Sequence, residues 1–181
     1  MTDLKIIEEC RKGNLDSFRK LIDQTSPFAY SVAFRLLGDD DLAKDVVQDA
    51  MIVIWQKINR IKTAEVYKTW IYRIVVNKCY DQLRKRKRNP EYYADDRTWS
   101  LIADRTVDNT STGLENDEIA LVISLLTEQL SPQQKTVFVL SELEQLSADE
   151  ISEISGMTRT KIKANLYYAR RKISELLEKY L

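Results

Sequence analysis

VYKTWIYRIVVNKCYDQLRKRKRNP, residues Val66–Pro90, reads as one helix that ends in a basic run. Ile71, Val75, Cys79 and Leu83 recur every four residues and form one apolar stripe. Away from it lie Arg73, Asn77, Tyr80 and Arg84. That face can donate hydrogen bonds to phosphates or bases, and Tyr80 can stack on a base. Arg84, Lys85, Arg86, Lys87 and Arg88 are consecutive cations, and Pro90 blocks further helix. Such a surface suits a nucleic acid. Taken alone, the stretch also fits a solvated helix whose basic end complements the helix dipole.

The surrounding composition narrows the class. In 181 residues, 44% are apolar, with 4 Gly and 3 Pro, which predicts long helices with few tight turns. No window has the roughly 18 apolar residues of a transmembrane helix, and the N-terminus lacks the apolar core of a signal peptide, so membrane insertion is not expected and a cytoplasmic location is. Histidine is absent, and no Gly-rich phosphate loop or nucleophile motif occurs, so neither an enzyme, a cofactor nor a metal site is expected. Cys10 and Cys79 read as buried thiols rather than a disulfide.

The formal net charge of +0 hides segregation. Residues 1–90 carry 18 Lys and Arg against 12 acids, residues 91–130 carry 2 against 9, and residues 131–181 carry 8 against 7. Within the last part, Met157–Lys172 holds six cations and no acid. Two basic helices therefore flank an acidic middle, and overall pI says little about partners.

Upstream of the opening stretch, a helix is expected to about Arg11, then one over NLDSFRKLIDQ with Leu15, Phe18, Leu21 and Ile22 inward. Ser26-Pro27 reads as the start of a further helix that stops at Gly38. Asp39, Asp40 and Asp41 can cap the next, DLAKDVVQDAMIVIWQKI. Its core stripe is Ala43, Val47, Ala50, Ile54 and Ile58. A second stripe, Asp41, Asp45, Gln48, Asp49, Ile52 and Gln56, sets one isoleucine among acids and amides; it reads either as a wet face or as a small protein-docking face.

Downstream, residues 89–116 lose helical periodicity and read as an acidic linker. Helices resume near Glu118, and Ser131-Pro132 starts another. Ser147 to Glu150 fits a capping box, Gly156 falls in a turn, and Thr158 can cap the final helix. Ile162, Leu166, Ala169, Ile173 and Leu176 face inward there, with Thr160, Lys163, Ala164, Tyr167 and Arg171 outward. A short helix, a Gly turn and a basic helix make a helix-turn-helix pattern, in which the second helix enters the major groove.

At this point the chain resembles the two-domain, group IV (extracytoplasmic-function, ECF) sigma factors of the sigma-70 family. RKGNLDSFRKLI, GDDDLAKDVVQDAMIVIWQKI and YKTWIYRIVVNKCYDQLRKRKR look like sigma region 2. LSPQQKTVFVLSELEQLSADEISEISGMTRTKIKANLYYARRKISELL looks like region 4. The resemblance implies an all-α fold: a region 2 bundle over 1–88, the linker over 89–116 and a region 4 helix-turn-helix domain over 117–181. It implies a promoter-specificity subunit of bacterial RNA polymerase, with no cofactor.

The stripe Asp41, Asp45, Gln48, Asp49, Ile52 and Gln56 sits where the family docks on the beta-prime clamp helices of core polymerase, which also contacts sigma through its beta subunit. Lys62, Lys68, Trp70, Arg73, Asn77, Tyr80, Arg84, Lys85, Lys87 and Arg88 lie where it binds the minus-ten element and holds the opened strand. The loop Asn59–Tyr67 lies where it captures a flipped base. Thr158, Arg159, Thr160, Lys161, Lys163, Ala164, Tyr167 and Arg171 lie where it reads the minus-thirty-five element. Many relatives have serine and arginine where this chain has Ala164 and Asn165, so base preference there is open. An anti-sigma factor is an expected partner, and the free chain is expected to be monomeric. The alternatives are a stand-alone helix-turn-helix regulator and a sigma-like decoy that binds an anti-sigma factor.

Overall fold

A computed structural model describes residues 4–61, 64–88 and 126–180. The linker and the helical resumption at Glu118 lie outside the described residues. Four helices come first: α1 (Leu4–Arg11), α2 (Leu15–Leu37), α3 (Asp40–Lys57) and α4 (Ala64–Arg88). A short 3-10 turn, Ile58–Arg60, follows α3. Then come α5 (Pro132–Phe138), a π turn (Val139–Leu143), α6 (Ala148–Ser155) and α7 (Arg159–Tyr180). All regular structure among the described residues is helical, as expected.

Side-chain caps set most helix starts. Asn14 accepts from Ser17 N–H, and Asp39 accepts from Leu42 N–H at 2.9 Å. Ser131 with Gln134, and Ser147 with Glu150, form reciprocal capping boxes. Each satisfies donors that the first turn leaves without a helical partner. Gly38 ends α2 and Gly156 ends α6, both in left-handed conformation, where a Cβ would clash with the backbone.

One expectation fails in α2. Ser26-Pro27 does not start a new helix, and a single helix runs from Leu15 through Pro27 to Leu37. An interior proline costs about 3 kcal/mol. Leu21, Ala29, Val32, Ala33, Leu36 and Leu37 on both sides of it are buried in one core, at about 1.5–3 kcal/mol per large aliphatic side chain. Continuous packing therefore outweighs the local break. Thr25, wholly buried two residues before Pro27, bonds Tyr67 Oη of α4 at 3.0 Å. Leu15, expected inward, is exposed.

The core stripe of α4 is as expected at Ile71, Val75 and Cys79, which are buried, with Leu83 partly buried. Tyr72 and Val76 are buried too, because α4 has neighbours on two sides. The bundle α2–α3 takes one side and α6 packs on another. Val137, Leu140, Ile151 and Ile154 consequently join Ile71, Val75 and Cys79 in one continuous apolar cluster. Leu130, Ala169 and Ile173 form a smaller cluster beneath α7.

Tyr67→Phe should lower stability by about 1–3 kcal/mol, because it strands the buried Thr25 hydroxyl. Adding Thr25→Val should recover much of that loss. Urea denaturation of the single and double variants measures the coupling.

Candidate nucleic-acid interface

Three surfaces carry the expected residues. The first lies on α3. Asp41, Asp45, Gln48, Asp49 and Gln56 are exposed, and Ile52 is half exposed at 49%. Asp49 accepts an ion pair from Lys78 Nζ of α4 at 2.9 Å. Beside this stripe an apolar groove of about 610 Å3 opens between α2 and α3. Gln48, Ile52 and Gln56 reach its wall; Phe18, Ile22, Tyr30, Val47, Met51 and Trp55 line it with them. The Phe18 and Trp55 rings lie 4.5 Å apart, which fixes one end. Asp41, Asp45 and Asp49 do not line the groove.

The groove aromatics escaped the sequence reading. Val47, expected in the core stripe, is only partly buried and lines the groove with Met51 and Trp55 at four-residue spacing, while Val46 is buried; half the signal was thus present. The other half comes from α2 and exists only once the helices pack. At the rim, Asp40 accepts from Lys44 Nζ and Tyr30 Oη, both at 2.6 Å. Those bonds hold its carboxyl below the usual range, Lys44 first.

The second surface is the outer edge of α4. Lys68, Arg73, Asn77, Arg84 and Lys85 are exposed, and Trp70 is partly buried beside the Tyr67 ring. The Lys68 ammonium lies 5.7 Å from the Tyr72 ring centroid. Arg84 pairs loosely with Asp81 at 3.7 Å. Lys87 and Arg88 belong to the last turn of α4, and Lys62 falls outside the described residues; of the loop expected over Asn59–Tyr67, residues 59–60 lie in the 3-10 turn and 64–67 already belong to α4.

Tyr80 departs from expectation. It is partly buried, and its hydroxyl bonds Thr136 of α5. Burial is the main cause that raises its pKa. Its ring therefore belongs to a seam between α4 and the second half of the chain, at the border of the cationic edge. Tyr72 lies on the same seam, where Glu144 accepts from its hydroxyl at 2.7 Å.

The third surface is α7, presented by the turn after α6. Ser152 Oγ donates to Met157 O at 2.8 Å, and Ser155 Oγ accepts from Met157 N–H, so two side chains fix the turn around Gly156. Thr158 Oγ1 accepts from Lys161 N–H at 3.3 Å and caps α7. Thr160, Lys161, Lys163 and Ala164 are exposed, and so is Tyr167 at 62%. Arg159 is tied to Asp149 of α6, and Arg171 to Glu175 at 2.8 Å. Asn165 is partly buried, and its amide donates to Lys161 O at 2.8 Å within the same helix. That bond engages the group that would have to read an adenine.

Comparison with known proteins assigns this arrangement. Residues 21–89 match the family model Sigma-70 region 2, and residues 120–173 match Sigma-70, region 4, together more than half of the chain. The chain belongs to the sigma-70 family. It is a group IV, extracytoplasmic-function member, and its function is that of a promoter-specificity subunit of RNA polymerase. The ECF RNA polymerase sigma factor SigW of Bacillus subtilis is 28% identical over 180 residues, covering 96% of this chain and 95% of the relative. The ECF sigma-E factor of Haemophilus influenzae is 25% identical over 183 residues, covering 98% and 96%.

The same fold occurs in CnrH, solved with the cytosolic domain of CnrY. That match has TM-score 0.69 and 20% identity, and it covers 96% of each chain. It also occurs in the sigma factor RpoE of Bartonella quintana, solved with the anti-sigma factor NepR, at TM-score 0.65 and 23% identity, covering 91% of this chain and 98% of that one. No helix among the described residues of this sigma factor is long and apolar enough to cross a membrane.

The helix-turn-helix predicts an acid-sensitive step. Bonds from Ser147, backbone N–H first and hydroxyl second, hold the Glu150 carboxyl below its usual value of 4.5. Its contribution to stability is then complete above about pH 4.5 and is lost as pH falls through the lower folded-state value. Glu150→Gln should remove that part of the acid dependence, measured as the stability difference from wild type between pH 6 and pH 3.

Proposed function

We propose that the sigma factor distributes its work over these three surfaces. The α2–α3 groove, with Gln48, Ile52 and Gln56 at its wall and Asp41, Asp45 and Asp49 beside it, docks on the beta-prime clamp helices of core polymerase. The observation that carries this reading is the groove itself: an apolar slot, 610 Å3 in volume, bordered by an exposed isoleucine and amides. An apolar centre with a polar rim is the anatomy of a protein interface. A helix with an apolar ridge and cationic flanks would fill the slot and meet the three carboxylates.

The outer edge of α4 holds the opened strand of the minus-ten element. Lys68, Arg73, Arg84, Lys85, Lys87 and Arg88 neutralise phosphates, and Asn77 donates to a base or to the backbone. Lys62 and Trp70 border the place of a flipped base. Unstacking one base costs a few kcal/mol. Aromatic stacking returns about 1–3 kcal/mol per base. The rest comes from phosphate contacts, which make binding steeply salt-dependent. Thr158, Arg159, Thr160, Lys161, Lys163, Ala164, Tyr167 and Arg171 form the minus-thirty-five surface. Lys163 and Ala164 can meet base edges, Ala164 by contact with a thymine methyl. Arg159 and Arg171, held by Asp149 and Glu175, stand beside phosphates.

The protein performs no covalent chemistry in this scheme and works in the cytoplasm as a monomer until it meets core polymerase. A dedicated anti-sigma factor is its expected antagonist. Core polymerase supplies what isolated domains lack, because it holds both DNA-reading surfaces at a high effective concentration along one promoter.

Ile52→Asp should weaken binding to core polymerase at least tenfold without unfolding the protein; unchanged affinity would remove the groove from the interface. Arg84→Ala with Lys87→Ala should impair promoter opening, read by permanganate reactivity of unpaired thymines, while core binding persists. Loss of core binding in that variant would instead assign the α4 edge to the polymerase.

A further inference from the structure

The cations of α7 between Arg159 and Lys172 divide by how they are held. Among the described residues, no carboxylate pairs with Lys161, Lys163 or Lys172. Each arginine has one. Arg159 Nε pairs with Asp149 Oδ1 in the first turn of α6, across the turn at Gly156. Arg171 Nε pairs with Glu175 Oε1 at 2.8 Å. Arg170 differs, because it engages Glu142 Oε1 through Nη2, at 2.7 Å.

Stability does not account for the two Nε pairs. The Arg159 and Asp149 side chains are 69% and 62% exposed, and those of Arg171 and Glu175 are 64% and 60% exposed. Pairs so exposed add little to a fold. What they fix is direction. A guanidinium is a rigid planar fork of donors. Held at Nε, it keeps both Nη groups for an anion, which they can meet with two parallel bonds. Arg170 has already spent part of that edge on Glu142.

The two arginines also stand at the two ends of the outward face. Arg159 is the first residue of α7, and Arg171 lies about 18 Å further along the helix axis. Thr160, Lys163, Ala164 and Tyr167 lie between them and are exposed. A major groove is about 12 Å wide with a phosphate backbone on each side, so the span suits one backbone per arginine.

We propose that Asp149 and Glu175 are positioning residues of the minus-thirty-five surface: each aims the Nη edge of its arginine at one phosphate backbone, and together they set the pose in which Thr160 to Ala164 meet the bases. This rests on the reading of α7 as that surface. Phosphate contacts position a protein on the duplex, and base contacts specify the sequence. In the specific pose both arginines reach phosphate without leaving their carboxylates. In any other pose an arginine gives up its carboxylate, or the carboxylate faces a phosphate, and either lowers affinity. Part of the sequence selectivity therefore comes from two side chains that touch no base.

The test uses the holoenzyme, core polymerase with the full chain. Wild-type holoenzyme first selects a promoter duplex from a library randomised over the minus-thirty-five region. Competition binding then compares that duplex with the same duplex carrying a scrambled element. Asp149→Asn should lower the preference for the selected duplex about fivefold, the ceiling for an exposed pair. It should bind the scrambled duplex as tightly as wild type or more tightly, because a negative charge is gone. Arg159→Lys leaves α6 untouched and keeps the charge but not the fork, so it should lose a similar part of the preference. Glu175→Gln should do the same from the other end. A carboxylate that serves only the fold would, once replaced, weaken both duplexes alike, and one that only repels DNA would tighten both alike; either result overturns the proposal, as does an unchanged preference. Arg159→Ala and Lys163→Ala separate the causes. Each should weaken binding and reduce the slope of log affinity against log salt by about one. If they do so while Asp149→Asn and Glu175→Gln keep the full preference, only the positioning fails. If neither changes binding, or if the library yields no preferred element, the reading of α7 fails with it.

Discussion

Every other part of the structure depends on how α4 is buried. A helix of 25 residues that begins near the core and ends in five cations must satisfy an apolar stripe, a polar seam and a charged edge at once. Ile71, Val75 and Cys79 belong to the first, Tyr72 and Tyr80 to the second, and Arg73, Asn77 and Arg84 to the third. Successive residues turn by about 100°, so three roles fit around one circumference without conflict. The bundle α2–α3 fixes the helix on one side, and this leaves Arg73, Arg84 and Lys85 exposed.

The same economy appears in α3. Its buried stripe anchors it, its next stripe builds a groove with α2, and its third carries carboxylates to solvent. A sigma factor must grip a protein and a nucleic acid at one time. The acidic stripe of α3 and the cationic edge of α4 stand on adjacent, mutually packed helices. Lys78 and Asp49 bridge those helices on their exposed sides. The charge is segregated along the chain, although the whole has formal net charge +0.

The helix-turn-helix solves a different problem, that of presenting a reading surface. Two serines fix its turn, a capping box starts its first helix, and a threonine caps its second. Local bonds of this kind need only short spacings in the chain. They leave the outward face of α7 free of structural duty from Thr160 to Ala164, while Asn165 is bonded to its own helix.

The sequence by itself determined most of the helices and their ends, and the outward residues of α3, of α4 apart from Tyr80, and of α7. Caps, glycine stops and four-residue apolar spacing act over a few residues and can be read from them. Family membership was legible for the same reason, since its blocks are local and ordered. Tertiary structure alone decided three things. Pro27 stays inside a helix because burial on both sides of it outweighs a lost backbone bond. The apolar groove beside α3 takes one wall from α2, which spacing within α3 cannot supply. Tyr80 and Glu144 face a seam because distant segments meet there: the Arg35–Glu144 pair spans 109 residues of sequence. Such contacts depend on the sum of packing over the whole chain, and no short window contains it.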